Sequence, residues 1–159
     1  MNKILVANRG EIACRVFRTA KKMGIATVAV YSDADALSPH VLMADEAVRL
    51  GPAPAAESYL KAELILLAAK ETGADCIHPG YGFLSENPDL ARAAEAEGIT
   101  FVGPRAEILE LAGNKVEALR AARRAGIPTL DSSEPSSDKD ALIAAAEKIG
   151  YPVFVKAVA

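Results

Sequence analysis

The sequence predicts an α/β protein built on a doubly wound, mostly parallel sheet. One pattern recurs five times: an amphipathic, alanine-rich run, a glycine, then a short apolar run. The glycines are Gly24 (before IATVAVY), Gly73 (before ADCI), Gly98 (before ITFV), Gly126 (before IPTL) and Gly150 (before YPVFVKAV). Glycine readily takes the left-handed conformation that ends a helix, so each reads as a helix stop feeding a strand. The runs KILVA, IATVAVY and ITFV are apolar almost throughout, as parallel strands covered on both faces must be. Strand and helix signals therefore alternate, the order that winds helices over both faces of one sheet.

Strands are expected near 3–7, 25–31, 46–49, 74–77 and 99–102, completing one α/β domain at about residue 102. In the first helix Ile12, Val16, Phe17, Ala20 and Met23 share a face, while Arg15, Arg18, Lys21 and Lys22 lie elsewhere. Ser58 is expected to open the helix SYLKAELILLAAKE. Asn87-Pro88 places a capping side chain before a proline at the first helical position. Two helices follow, roughly 105–112 and 115–125, with little strand between them. A polar stretch, DSSEPSSDKD, reads as a linker or exposed loop before a last helix opened by Ser137 or Asp138. The closing YPVFVKAVA has a strand pattern in which alternation puts Phe154, Lys156 and Val158 on one face. A domain rarely stops in a buried-type strand, so the sequence is expected to be part of a longer chain.

Composition narrows the class. Hydrophobic residues make up 51% and charged residues 25%, the balance of a protein with a real core. The net charge of -3 provides no overall basic field, which argues against nucleic acid or a membrane surface as partner. The local run Arg120, Arg123, Arg124 reads as a solvated helix face. Cys14 and Cys76 both lie in apolar stretches and form no Cys-x-x-Cys or Cys/His cluster, so no redox pair or zinc site is supported. Unpaired thiols without a signal peptide point to a reducing, cytoplasmic compartment. No apolar run approaches the roughly 18 residues that a membrane span needs.

Doubly wound sheets bind ligands at the carboxyl ends of their strands, and two loops qualify. Asn8-Arg9-Gly10-Glu11 has one glycine and reads as a tight turn rather than a phosphate cradle. The second loop is HPGYGFLSEN, His78 to Asn87. Its Gly80-Tyr81-Gly82-Phe83-Leu84-Ser85 nearly matches G-x-G-x-x-G, with Ser85 in place of the third glycine. Its polarity fits a ligand-facing role as well as a connector. His40 and His78 lack partners at metal-ligand spacing and read as hydrogen-bonded structural residues. Asp33 and Asp35 follow the second strand, where a ribose-binding acid would sit, but a turn-forming role is equally open. Lys115 opens a helix whose N–H groups and dipole favour an anion, an odd place for a cation unless it helps hold phosphate. The Walker pattern is absent. Lys156 needs either an anionic partner or an exposed edge where it deters aggregation.

The runs KILVANRGEIACRV, VAVYSDAD, MADEAV, GPAPAAESYL, IHPGYGFLSEN, FVGP, GNK and IGYPVFVKA resemble the N-terminal third of the biotin carboxylase family, in order and without large gaps. The resemblance implies an ATP-grasp ligase. In that family ATP and bicarbonate carboxylate a ureido nitrogen of carrier-bound biotin, the first half-reaction of acyl-CoA and pyruvate carboxylases. It implies a division into an N-terminal α/β domain over 1–102, a helical connector over 103–129 and the opening of the lid domain over 130–159. Lys115 and Lys156 align with ATP-binding lysines, and Tyr81 and Glu86 lie by analogy at the edge of the biotin and bicarbonate pocket. Arg15, Arg18 and Lys22 fall on a helix that in the family lies near a dimer contact. Implied cofactors are ATP, Mg2+ and biotin. Implied partners are a biotinylated carrier domain, a carboxyltransferase and further copies of the chain in a homo-oligomer. The compartment is cytoplasmic, or the mitochondrial matrix if the source is eukaryotic. The magnesium ligands, the glycine-rich lid loop and the catalytic groups are expected outside these 159 residues, so the piece alone is expected to be inactive. The alternative is a Rossmann-like nucleotide-binding or dimerisation module without chemistry.

Overall fold

Five parallel strands form one sheet within residues 1–156, the part of the chain that the computed structural model describes. They are β1 (Lys3–Val6), β2 (Ala26–Ser32), β3 (Glu46–Gly51), β4 (Cys76–His78) and β5 (Thr100–Phe101), in the order β3-β2-β1-β4-β5. Helices α1 (Gly10–Lys22) and α2 (Pro39–Met43) link β1 to β2 to β3. Helices α3 (Ala62–Thr72) and α4 (Pro88–Ala96) link β3 to β4 to β5. The chain starts mid-sheet, winds out to β3, then crosses back past β1. Parallel crossovers keep one hand, so that reversal carries the later helices to the opposite face.

Alternation along β1 shows the two layers. Ile4 packs with Ala20, Ile25 and Cys76, and Val6 with Ala13, Phe17 and Ala29, on the α1 side. Leu5 and Ala7 point the other way, into a larger core with Val28, Val30, Ile65, Ile77 and Leu90. Burial of each large side chain contributes about 1.5–3 kcal/mol. The amino ends of the strands are tied by polar contacts. The Asp75 carboxylate accepts the Asn2 and Lys3 N–H groups at 2.6 and 3.2 Å. The Lys3 ammonium reaches the Glu46 carboxylate and the Thr72 carbonyl, each at 2.6 Å.

All five expected strands occur, with ends shifted by a residue or two. The five glycines all have positive φ, between +66° and +91°. Gly24, Gly73 and Gly98 lead into strands, whereas no strand follows Gly126 or Gly150 among the described residues.

Three expectations need correction. Met23 is 66% exposed, because α1 ends at Lys22 and its buried face is Ala13, Cys14, Phe17 and Ala20. Ser58 does not open a helix. It follows a turn of 3-10 helix (Ala55–Glu57) and donates its hydroxyl to the Pro54 carbonyl at 2.9 Å. Tyr59 is drawn into the core there, and α3 begins only at Ala62. The expected final strand does not form over 151–156. That stretch is irregular and shows no ladder pairing, and Phe154 and Val155 are 94% and 88% exposed instead of alternating. A strand persists only where a ladder satisfies its backbone. Val158 lies outside the described residues.

The described chain divides into a unit from Met1 to Leu109 and a second from Glu110 onward. Helix α5 (Ala106–Gly113) starts in the first unit, where Ala106 and Leu109 pack with Ala91. The second unit holds α6 (Lys115–Arg124) and α7 (Lys139–Ile149), neither with a buried residue. Arg120 bonds Glu134 at 2.5 Å and Arg123 bonds Ser132 at 2.9 Å, strapping the irregular segment to α6. Asp138, one of the two expected openers, caps α7, and Asn114 caps α6, each side chain accepting two backbone N–H groups.

Urea titrations should separate the two α1 residues. Phe17→Ala is expected to cost about 3–5 kcal/mol of stability, and Met23→Ala to stay within about 0.5 kcal/mol. Equal losses would contradict the assigned helix face. Hydrogen exchange should be slowest in Lys3–Val6 and fast across 151–156; equal protection of both segments would contradict the division.

Candidate functional site at the strand-order switch

The strand order reverses between β1 and β4, so their carboxyl ends open a crevice. Ile4, Leu5 and Val6 lie opposite Cys76, Ile77 and His78, and the Ala7 N–H extends the ladder to the His78 carbonyl at 2.9 Å. Beyond that bond the chains part into the loops Asn8–Arg9 and Pro79–Asn87. The Asn8 side chain, 4% exposed, rejoins them. Its Nδ2 donates to the Pro79 and Tyr81 carbonyls, both at 2.8 Å, and its Oδ1 accepts the Arg9 N–H at 2.9 Å. Gly80 lies against it with φ +67°, and a Cβ there would stand 2.8 Å from the amide nitrogen. Any side chain at 80 would displace that amide.

Arg9 holds the far end of the loop. Its guanidinium lies 5.5 Å from the Tyr59 ring centroid and 5.7 Å from that of Phe83, and the two rings stack 5.0 Å apart at 10°. The stack offsets the cost of φ +42° at Phe83, an unfavourable conformation for a non-glycine residue. The Arg9 charge is committed to Asp35 at 3.0 Å. The Asp35 carboxylate also accepts the Tyr59 hydroxyl at 2.7 Å, Ser32 at 3.1 Å and Ser38 at 3.4 Å. Burial pushes the Asp35 carboxyl up, but these donors outweigh it and hold its pKa below the ordinary value. Burial, then the bond to Asp35, pushes the Tyr59 phenol up to about 12. Asp33 makes a two-pronged pair with Arg49 of β3 at 2.6 and 2.8 Å, so both aspartates hold the structure around the turn.

Asn8, Arg9, Gly10, Ile12, Tyr81, Gly82 and Phe83 line a cleft of about 380 Å³. Tyr81 donates its hydroxyl to Glu11 in the first turn of α1, a short bond that raises the phenol pKa. His40 is buried behind the cleft. Its Nδ1 accepts the Gly10 N–H at 3.4 Å, and its Nε2 lies 3.2 Å from the Val30 carbonyl, the arrangement of a neutral ring donating from Nε2. His78 accepts the Gly80 N–H at 3.0 Å through Nδ1. Both histidines have the structural roles expected of them.

Of the expected site residues, Tyr81 lines the cleft, while Glu86 is exposed in the same loop and does not. Lys115 is exposed at the first position of α6, where Asn114 already bonds the Val116 and Glu117 N–H groups. Lys156 is exposed in the irregular segment. Sequence reasoning missed Asn8, Arg9 and Tyr59 as structural keys. The charged Asn-Arg-Gly-Glu run directly after a buried strand was the available signal.

The sequence profile described as "Biotin carboxylase, N-terminal domain" matches residues 1–109. The chain belongs to that family. It is 52% identical over 99% of its length to a biotin carboxylase of Pseudomonas aeruginosa, spanning 35% of that protein. It is equally identical to the mitochondrial propionyl-CoA carboxylase alpha chain of Rattus norvegicus, of which it spans 22%. The biotin carboxylase domain of the Hydrogenobacter thermophilus 2-oxoglutarate carboxylase, solved as a dimer with MgADP, ADP and bicarbonate, superposes with a TM-score of 0.89 at 49% identity. That match covers 95% of this chain and 33% of that one. The biotin carboxylase N-terminal fold thus accounts for the sheet and the cleft at its switch point. No helix among the described residues is long and apolar enough to cross a membrane.

Burial holds the folded-state pKa of His40 below its unfolded value of 6.5, so the unfolded chain binds the extra proton more readily. The stabilisation from neutral His40 is complete above about pH 6.5 and drains as pH falls through the unfolded pKa toward the folded one. His40→Gln should flatten the stability-versus-pH curve on the acid side of neutrality. An unchanged slope in chemical denaturation would contradict the role assigned to the ring.

Proposed function

We propose that the chain is the N-terminal part of a biotin carboxylase, an ATP-dependent ligase that carboxylates carrier-bound biotin with bicarbonate. The observation that carries this reading is identity of about half the residues over nearly the whole chain to such enzymes, together with convergence of the ANRGE and HPGYGFLSEN segments on one cleft. On this reading 1–102 is the N-terminal α/β domain, 103–129 the helical connector and 130–159 the opening of the ATP-grasp lid. On the same reading a biotinylated carrier, a carboxyltransferase and further copies of the chain surround it, a reading supported by the likeness to acyl-CoA and pyruvate carboxylases. The setting is the cytoplasm, or the mitochondrial matrix for a eukaryotic source.

The described residues suit the edge of such a site rather than its centre. The cleft wall is mostly apolar and its one guanidinium is already paired with Asp35, so it suits an uncharged ring such as that of biotin better than a phosphate. Tyr81 would meet biotin there, with Glu86 further along the loop. Lys115 and Lys156 would neutralise ATP phosphate, a charge-assisted contact that accounts for a cation at a helix start. No group of three or more His, Cys, Asp or Glu among the described residues converges to hold a metal.

In the full-length carboxylase, Lys156→Met should raise the Michaelis constant for ATP roughly ten- to a hundredfold, the worth of one hydrogen bond to a charged group. An unchanged constant with lower solubility would instead make Lys156 an edge guard. The 159-residue chain alone should release no phosphate from ATP above a protein-free blank with bicarbonate and biotin. Stimulated release would overturn the placement of the catalytic groups elsewhere.

A further inference from the structure

We propose that Asn8 and Glu11 are positioning residues for Tyr81, Asn8 fixing its backbone and Glu11 its phenol. Together they hold the ring at the rim of the cleft in the pose that receives the ureido ring of biotin. The inference rests on the biotin carboxylase reading and assigns a task to the ANRGE segment.

Tyr81 left to itself would be mobile. It is 60% exposed and sits between two glycines with φ of +67° and +65°. Two contacts from one short segment restrain it. The buried Asn8 amide holds its carbonyl at 2.8 Å, and the Glu11 carboxylate accepts its phenol proton from across the cleft. Glu11 lies in the first turn of α1, where a negative side chain complements the helix dipole. Arg9, between them, anchors Phe83 two residues further along. Three neighbouring side chains thus template the Gly80–Phe83 turn. The Glu11–Tyr81 bond adds little to stability, since both partners are exposed and exposed pairs are weak. Its effect falls on the direction of the ring, and small misplacements of a binding group reduce turnover severely.

The test uses the full-length carboxylase and the isolated chain side by side. Glu11→Ala, which removes the acceptor at an exposed position, should raise the Michaelis constant for free biotin roughly ten- to a hundredfold while that for ATP stays put. Glu11→Gln, which restores a neutral acceptor, should recover most of the loss. Asn8→Asp, which removes both donors, should do the same to biotin, with circular dichroism reporting whether it folds. In the isolated chain, ring-labelled tyrosine resonances should show Tyr81 titrating lower in Glu11→Ala than in the wild type. A wild-type enzyme without biotin- and bicarbonate-dependent ATP cleavage would sink the biotin carboxylase reading and this inference with it. An active wild type whose Glu11→Ala variant keeps its biotin constant, or raises the ATP constant equally, would overturn the positioning role alone. So would an unmoved Tyr81 titration.

Discussion

A parallel sheet that changes winding direction leaves an open fork where its two halves part, and here a single side-chain amide closes it. Beyond the Ala7–His78 bond the β1 and β4 chains no longer pair, and their backbone groups need other partners. Asn8 supplies two donors to one loop and an acceptor to the other from an almost fully buried position. Only an amide carries both functions at that length, since an aspartate would face two carbonyls with no proton to give. The glycine at position 80 follows from the same contact, because the amide occupies the space that a Cβ would take. The start of α1, the aromatic stack and the cleft are all placed by where this amide holds the chain.

Charge around the fork is balanced before any ligand arrives. The Asp35 carboxylate is largely withdrawn from water, which taken alone would disfavour its ionised form. Four donors offset that cost, and one of them is the Arg9 guanidinium lying beside the Tyr59 and Phe83 rings. The arrangement leaves the cleft without a free cation. The cations proposed for phosphate, Lys115 and Lys156, belong instead to the second unit, where they are exposed.

Local signals in the sequence were readable where local physics decides. The stops at Gly24, Gly73 and Gly98, the caps Asn87 and Asp138, and the apolar runs of β1 and β2 depend on neighbours a few residues away. Tertiary demands overrode them elsewhere. Ser58 looks like a helix cap, yet burying Tyr59 against Asp35, 24 residues earlier, moves the helix start to Ala62. The final apolar run alternates well, but a strand needs a ladder that periodicity alone cannot supply. The site was only half legible for the same reason. Asn8 meets Tyr81 across 73 residues, and neither spacing nor periodicity reports a contact across a sheet. The resemblance of ANRGE and HPGYGFLSEN to a family identified both segments without showing that one templates the other.

The two Nδ2 protons of the Asn8 amide, which closes the fork, are directly observable. In nuclear magnetic resonance of the isolated chain, the side chains of Asn2, Asn87 and Asn114 serve as internal references. The structure predicts that both Asn8 protons are resolved, bonded and far slower to exchange with water than those of the three references. Exchange of the Asn8 protons at the rate of a solvated amide would contradict the closed fork and everything placed by it.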